Sequence, residues 1–367
     1  MTSELIYGCI RWKALLDHLV ARRQDGKKRQ KAAVQVILRM GLYQLFFMDR
    51  VPSHALVSEC VNLAKSRGAA GAAGFVNAFL RQYVREQAET QELIAELQEN
   101  KLHIGWSHPD WLVNEWVKRY GKEGAQRLLS WNNSPAPIFA RINRLKSTGP
   151  TVRKLWEHEP ITFRDVQVDW CDSEDLAEIK VSAPVHSLDS FKRGLFYVQD
   201  PSTLLSVKVL DPQPGESILD LCSAPGGKSC YIAQRMEDKG KLIASDIDEL
   251  RLNVVRENSE RLGITCLETQ PASAIDHILA GEQPMTFDRI LIDAPCSNSG
   301  VIRRRIDVRW RISKAEIAQL HETQFGLLMK AAKAVKKGGI IVYSTCSLEP
   351  EENEHVIRRF LKRSETR

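Results

Sequence analysis

From about residue 201 onward, short apolar runs alternate with helical ones, and this alternation constrains the fold more than any other feature of the chain. The strand-like runs fall at 217–222, 241–246, 289–293 and 339–345; the helical ones fall at 228–236, 249–262, 314–336 and 350–361. Short strands without polar alternation, separated by helices, belong to a buried parallel sheet, so a doubly wound α/β domain is expected. In such a sheet, ligands bind beyond the carboxyl ends of the strands. Three segments that carry chemistry end there. Leu219-Asp220-Leu221-Cys222-Ser223-Ala224-Pro225-Gly226-Gly227-Lys228-Ser229 turns from a strand into a helix. Ile290-Leu291-Ile292-Asp293-Ala294-Pro295-Cys296 and Ile340-Ile341-Val342-Tyr343-Ser344-Thr345-Cys346-Ser347 each place a cysteine at a strand's carboxyl edge. A glycine-lined turn facing two thiols suggests nucleophilic chemistry on an electrophilic ring.

At 367 residues the chain is too long for one average core, so two or three domains are expected. Residues 1–130 read as helical: Val34, Ile37, Leu38, Leu42, Leu45 and Phe46 recur near helical spacing, and Leu93, Ile94 and Leu97 share a side. A further helix begins at Trp111, after Pro109-Asp110. The glycine- and alanine-rich stretch 68–74 reads as a tight helix contact or as a loop. His54 and His108 follow loop signals and read as surface or capping residues rather than metal ligands. Asn132-Asn133-Ser134-Pro135-Ala136-Pro137 reads as a linker. It opens a small α/β module over 131–200, with strand-like runs at 138–143 and 195–199 and a helix at 152–157. The α/β domain then covers 201–367.

The net charge of +6 is moderate, but it is clustered. Arg22-Arg23 stand near Lys27-Lys28-Arg29, Arg303-Arg304-Arg305 near Arg309 and Arg311, and Lys333 near Lys336-Lys337. Such clusters suggest a polyanionic partner, although the first and last fit solvated helix faces equally well. The eight cysteines form no Cys-x-x-Cys pair, which argues against a zinc site, and a chain of this length without a signal peptide argues against a disulfide framework. No stretch reaches the length needed to cross a bilayer. A reducing cytoplasm fits these features.

The glycine turn has two readings. A phosphate-binding P-loop, G-x-x-x-x-G-K-[ST], requires glycine at position 222, where Cys222 stands. A nucleoside site fits better: the glycines let backbone approach a ligand, and Asp246 ends the next strand where an acid binds ribose hydroxyls. Asp246 could instead cap the following helix, a role open to Asp248 as well. Most of the cysteines, Cys230 and Cys266 among them, read as inert packing. Cys296 and Cys346 differ by position, and the arginines that follow Cys296 would favour a thiolate.

These motifs resemble a known family. Leu-Cys-Ser-Ala-Pro-Gly-Gly-Lys-Ser, Asp-Ala-Pro-Cys-Ser, and Tyr-Ser-Thr-Cys-Ser with Pro350-Glu351-Glu352-Asn353 are similar, in order and spacing, to the RNA cytosine-5 methyltransferases. Gly300-Val301-Ile302-Arg303-Arg304 and Asp307-Val308-Arg309-Trp310 extend the match. Gly41-Leu42-Tyr43-Gln44-Leu45 and Val76-Asn77-Ala78-Phe79-Leu80-Arg81 resemble the NusB-like RNA-binding helical domain. The resemblance covers nearly the whole chain and implies a Rossmann-like methyltransferase domain preceded by an all-α NusB-like domain. It implies S-adenosylmethionine as cofactor, cradled by Cys222, Ser223, Ala224, Pro225, Gly226, Gly227 and Lys228, with Asp246 on its ribose and Asp293 nearby. It implies no metal. The substrate would be single-stranded or loop cytosine in small-subunit ribosomal RNA. Cys346 would add to C6, Cys296 would assist release, and Asp293 would hold the ring. Arg303, Arg304, Arg305 and Arg309 would contact RNA.

The sequence departs from the family at three places. Gln270-Pro271-Ala272-Ser273 lacks the acid that usually ends the third strand, and Asp276 is the nearest one. Arg305-Ile306 replaces a His-Pro pair. The chain also starts late in the helical domain and stops at Arg367, before the strand pair that completes the family's sheet. These departures motivate a competing expectation, a catalytically weakened RNA-binding adaptor.

Overall fold

A computed structural model describes residues 2–23, 30–280 and 285–364 of the chain. They form two compact units, one running to Pro135 and including Ser299–Ile312, the other made of Ala136–Asn298 and the residues from Ser313 onward.

The first unit is helical. Thr2–Arg11, Lys13–Arg22, Ala32–Phe47, Ser53–Ser66, Ala73–Arg85 and Gln87–Asn100 are followed by Asp110–Asn133, which breaks at Gly121 (φ 70°, ψ 171°). The residues at helical spacing, Val34, Ile37, Leu38 and Leu42, are buried with Leu15, Leu16, Leu19, Leu56, Val76 and Leu80 in one core. A close helix contact does occur, but at Gly41, where an added Cβ would lie 2.7 Å from the Leu80 side chain. The 68–74 stretch is instead a turn and a short 3-10 helix, Ala70–Ala72, leading into helix Ala73–Arg85, with open space around Gly71 and Gly74. Two sequence expectations are corrected here. His108 is buried, not at the surface; its Nδ1 lies 2.7 Å from the Trp106 carbonyl, and burial holds its pKa well below the usual histidine value. Asn132 and Asn133 are the buried last residues of a helix, not the start of a linker. Of the first basic cluster, Arg23 pairs with Glu86 and covers the Tyr83 ring, while Lys27-Lys28-Arg29 lie outside the described residues.

The second unit holds two sheets. Strands β1 (Ile138–Ile142), β2 (Ile161–Asp165), β3 (Leu176–Val181) and β4 (Phe196–Val198) pair antiparallel in the order β2-β3-β1-β4, with helix Gly149–Trp156 joining β1 to β2. Strands β5 (Ser217–Asp220), β6 (Lys241–Asp246), β7 (Leu267–Pro271), β8 (Phe287–Asp293) and β9 (Val335–Ser344) form an all-parallel sheet in the order β7-β6-β5-β8-β9. The two-residue period of a strand sends neighbours to opposite faces. Ile218, Leu242, Leu291 and Val342 join one core, while Leu219, Ile243, Ile290 and Ile292 join the other with Leu328, Ala331 and Val356. This burial on both faces is why the strands read as unbroken apolar runs. The chain builds outward from β5 to β7 and then returns to place β8 on the other side of β5. The reversal between β5 and β8 is the point where doubly wound sheets open a ligand crevice. Among the described residues no helix is long and apolar enough to cross a membrane, and no cluster of ligating side chains could hold a metal.

Candidate active site

The glycine turn after β5 is shaped by what surrounds it. Gly226 has φ +96°, and a Cβ there would come 3.2 Å from Val255, so a side chain would meet both strain and contact. The turn hands over to helix Gly227–Arg235, whose first amides face the crevice end of the sheet. Asp220, at the end of β5, is fully buried and accepts from Ser229 Oγ at 2.7 Å; burial pushes its carboxyl up to about 7. Ser223 Oγ and Ser245 Oγ are also buried and have no hydrogen-bond partner among the described residues. Buried hydroxyls are ordinarily satisfied, so these two stand out beside the glycine turn.

Asp246 and Asp248 divide the two roles the sequence left open. Asp248 caps helix Glu249–Leu262, accepting from the Leu250 and Arg251 amides at 2.9 and 3.3 Å. Asp246 is buried and reaches back to the glycine turn, accepting from the Ala224 amide at 3.1 Å and from the Asp248 amide at 3.1 Å. Arg251 stands 3.6 Å from Asp246 Oδ1 and donates to the Ala224 carbonyl at 2.7 Å. No acid stands at the end of β7. Ala272 opens a helix there, and Asp276 pairs with Lys330 at 2.6 Å.

The two thiols meet. Cys296 Sγ and Cys346 Sγ are 3.0 Å apart, brought together from the ends of β8 and β9, and both are free. Cys346 Sγ also lies 3.2 Å from Asn298 Oδ1, while Asn298 Nδ2 donates to the Cys296 carbonyl at 2.7 Å. The contact between the two sulfurs pulls their titrations apart, holding Cys296 below the ordinary thiol value and Cys346 above it. The two thiols therefore titrate as a pair, with Cys296 the first to ionise. Asp293, at the end of β8, is held by Lys228 Nζ at 2.5 Å and by Ser344 Oγ at 2.9 Å. The lysine of the glycine turn is thereby committed to a carboxylate beside the thiols. Cys222 is different: burial and the charges of Asp220, Asp246 and Asp293 push its thiol up, which leaves it unreactive.

Beneath the pair lies a residue given no role by the sequence. Glu352 is 0% exposed. One oxygen accepts from the Ser297 amide at 2.8 Å and from Gln324 Nε2 at 3.1 Å; the other accepts from Ser297 Oγ and Ser347 Oγ, both at 2.5 Å. Ser297 follows Cys296 and Ser347 follows Cys346, so one carboxyl group ties both cysteine loops. Glu352 stood in the Pro350–Asn353 motif, but nothing local to that motif shows where its side chain goes.

The arginines separate. Arg309 is 0% exposed and donates to the carbonyls of Arg11, Ser107 and Asn132 and to Asn133 Oδ1. Burial lowers its pKa, and it ties the 299–312 segment to the helices, so the expected RNA contact is not available to it. Arg303 stacks on Trp131, with its guanidinium 3.9 Å from the ring centroid, and donates to the Ser134 and Pro135 carbonyls. Arg304 and Arg305 are exposed.

Comparison with known proteins shows the family of the chain. The family model for the 16S rRNA methyltransferase RsmB/F matches residues 207–367, that for the NusB family residues 1–85, and that for the ferredoxin-like domain of RsmF/B-like methyltransferases residues 108–171. The chain is 34% identical to "Probable ribosomal RNA small subunit methyltransferase B" of Bacillus subtilis, over 99% of this chain and 79% of that protein. It is 37% identical to ribosomal RNA small subunit methyltransferase B of an Escherichia coli O157:H7 strain, over 99% of this chain and 82% of that one. The solved structure of the protein PH0851 superposes with a TM-score of 0.79 at 27% identity, covering 98% of this chain and 80% of that one.

Proposed function

Since this chain belongs to the 16S rRNA methyltransferase RsmB/F family, we propose that it methylates C5 of a cytosine in small-subunit ribosomal RNA, using S-adenosylmethionine and a covalent Cys346–C6 bond. The observation that carries this reading is the pair of free thiols 3.0 Å apart at two strand ends, beside a carboxylate held by Lys228. Such an RNA target puts the protein in the cytoplasm.

The residues fit the cofactor. Ser223 Oγ is a buried polar atom without a partner among the described residues, and Gly226, at φ +96°, gives the turn a backbone path that a residue with a side chain rarely adopts. The turn from Cys222 to Lys228 would hold the cofactor, and the free lone pairs of Asp246 would take its ribose hydroxyls. When bound, S-adenosylmethionine supplies an electrophilic methyl group.

The cysteines prepare the carbon that receives the methyl group. C5 of cytosine is a weak nucleophile, and adding a thiolate at C6 makes it enamine-like. As the Cys346 sulfur bonds to C6, its proton passes to the Cys296 thiolate. Asp293, steadied by Lys228 and Ser344, holds the edge of the ring. After transfer the C5 proton leaves to solvent, the C5–C6 double bond re-forms and the S–C6 bond breaks. Cys296 then returns its proton to the departing Cys346. One proton is released per turnover, and the thiol pair ends as it began.

The test is to incubate the protein with methyl-labelled S-adenosylmethionine and small-subunit ribosomal RNA, digest the RNA and identify the labelled nucleoside by mass spectrometry. Labelled 5-methylcytidine is expected. RNA binding without label would favour the adaptor reading, and label elsewhere would refute C5.

Asp246→Ala should weaken cofactor binding at least about tenfold, since a carboxylate on two hydroxyls makes charge-assisted hydrogen bonds. Calorimetric titration checks this, with the melting temperature as a control for folding. Unchanged affinity in a folded variant would remove the ribose assignment.

A further inference from the structure

We propose that Trp131 is a stacking platform for an unpaired nucleotide of the RNA substrate, rimmed by Arg304 and Arg305, which hold the flanking phosphates. The proposal rests on RNA being the substrate but not on the cysteine chemistry.

Trp131 lies near the end of helix Asp110–Asn133 and is 58% exposed, unusual for an indole. One ring face is already covered by the Arg303 guanidinium. Exposure this large therefore requires the opposite face to be open. Arg303 is not a loose cover, because the carbonyls of Ser134 and Pro135 fix it. The indole is thus backed by an immobilised planar cation and offers a flat, rigid surface. Helical spacing puts exposed Arg127 one turn away on the same side. Arg304 and Arg305, exposed, follow Arg303 directly in the chain.

An aromatic face within a basic rim fits single-stranded nucleic acid. A base stacks on the ring whatever its identity, and the backbone meets the cations. A duplex presents no open base face, so the platform selects unpaired RNA. The 299–312 segment begins three residues after Cys296, so the feature that meets the RNA strand is built partly from the segment that follows the reactive thiol.

Stacking and phosphate pairing respond differently to salt, which makes the two parts separable. The experiment titrates the full-length protein with a fluorescent single-stranded RNA oligonucleotide over a range of salt concentrations. Trp131→Ala should bind roughly tenfold more weakly with an unchanged salt slope, and Trp131→Phe should recover most of the loss. Arg304→Ala with Arg305→Ala should reduce the slope by about 1.4, the value for two phosphates of a single strand. All variants should melt with the parent. Affinity within twofold of the parent in Trp131→Ala overturns the platform. So does a fall in affinity with a matching fall in slope, which would make the indole a mere support for the arginines. Because binding is what is read, a failure of cytosine methylation would leave this result standing on its own.

Discussion

Replacing Cys346 with alanine should lower methyl transfer by more than about a thousandfold and leave no RNA adduct on a denaturing gel. Without that sulfur no bond to C6 forms, so C5 is never activated. In this assignment Cys296 serves only to take and return the proton, so it does not replace the lost sulfur. Cys222, the thiol of the glycine turn, is raised by burial and by three carboxylates.

The partner variant should behave in the opposite way. The hydrogen bond to Cys296 is the main reason the Cys346 thiol is raised. Cys296→Ala removes that cause, so Cys346 can still ionise and add to C6. What is lost is the proton returned to Cys346 at elimination. A denaturant-resistant protein–RNA species should accumulate, dependent on S-adenosylmethionine and absent from the double variant. The lowered pKa of Cys296 also supports a rival assignment, in which Cys296 is the sulfur that adds. That assignment reverses the gel: the adduct would be trapped in Cys346→Ala. Intact methylation with no adduct in either variant would reduce both cysteines to packing residues and sink the covalent mechanism.

The parallel sheet was legible because strands buried on both faces carry an unbroken apolar signal, as Ile290-Leu291-Ile292 does. The edge strand β7, Leu-Glu-Thr-Gln-Pro, carries no such signal of its own; the family resemblance alone marked its end, and its pairing with β6 gives its bounds. Strands β2 and β3 were missed for a similar reason: Arg164, Glu178 and Lys180 interrupt their apolar pattern. The cysteines and the glycine turn could be placed at the site because a strand end fixes where the next residues project. The connections among them could not. Lys228 lies 65 positions from Asp293, and Glu352 lies 55 from Ser297, so their pairing follows from strand order rather than from local sequence. Arg309 misled because a cluster of arginines reads as surface. Its burial becomes visible only once Arg11, Ser107, Asn132 and Asn133 surround it.

Glu352 gives the last prediction, with two substitutions that pull apart. Glu352→Ala deletes the acceptor for four donors: the Ser297 amide, both serine hydroxyls and Gln324. Unsatisfied buried donors and the cavity left behind should cost on the order of 3 kcal/mol, and the two cysteine loops should separate. Activity should fall at least about a hundredfold. Glu352→Gln keeps the shape. Its amide oxygen can accept from the Ser297 amide and Gln324, and its amide nitrogen can donate to the two hydroxyls, which rotate to receive it. Stability should therefore stay close to the parent, but a negative charge beside Cys296 is gone. That charge raises the Cys296 thiol, so its removal should lower the thiol further, and the acid limb of the pH–rate profile should move to lower pH. Thermal melts and pH profiles of the two variants check this. An acid limb moved to higher pH in Glu352→Gln, or left unmoved, would mean that the ionisation of Cys296 does not govern the reaction. Full activity in Glu352→Ala would mean that the thiol separation is set elsewhere.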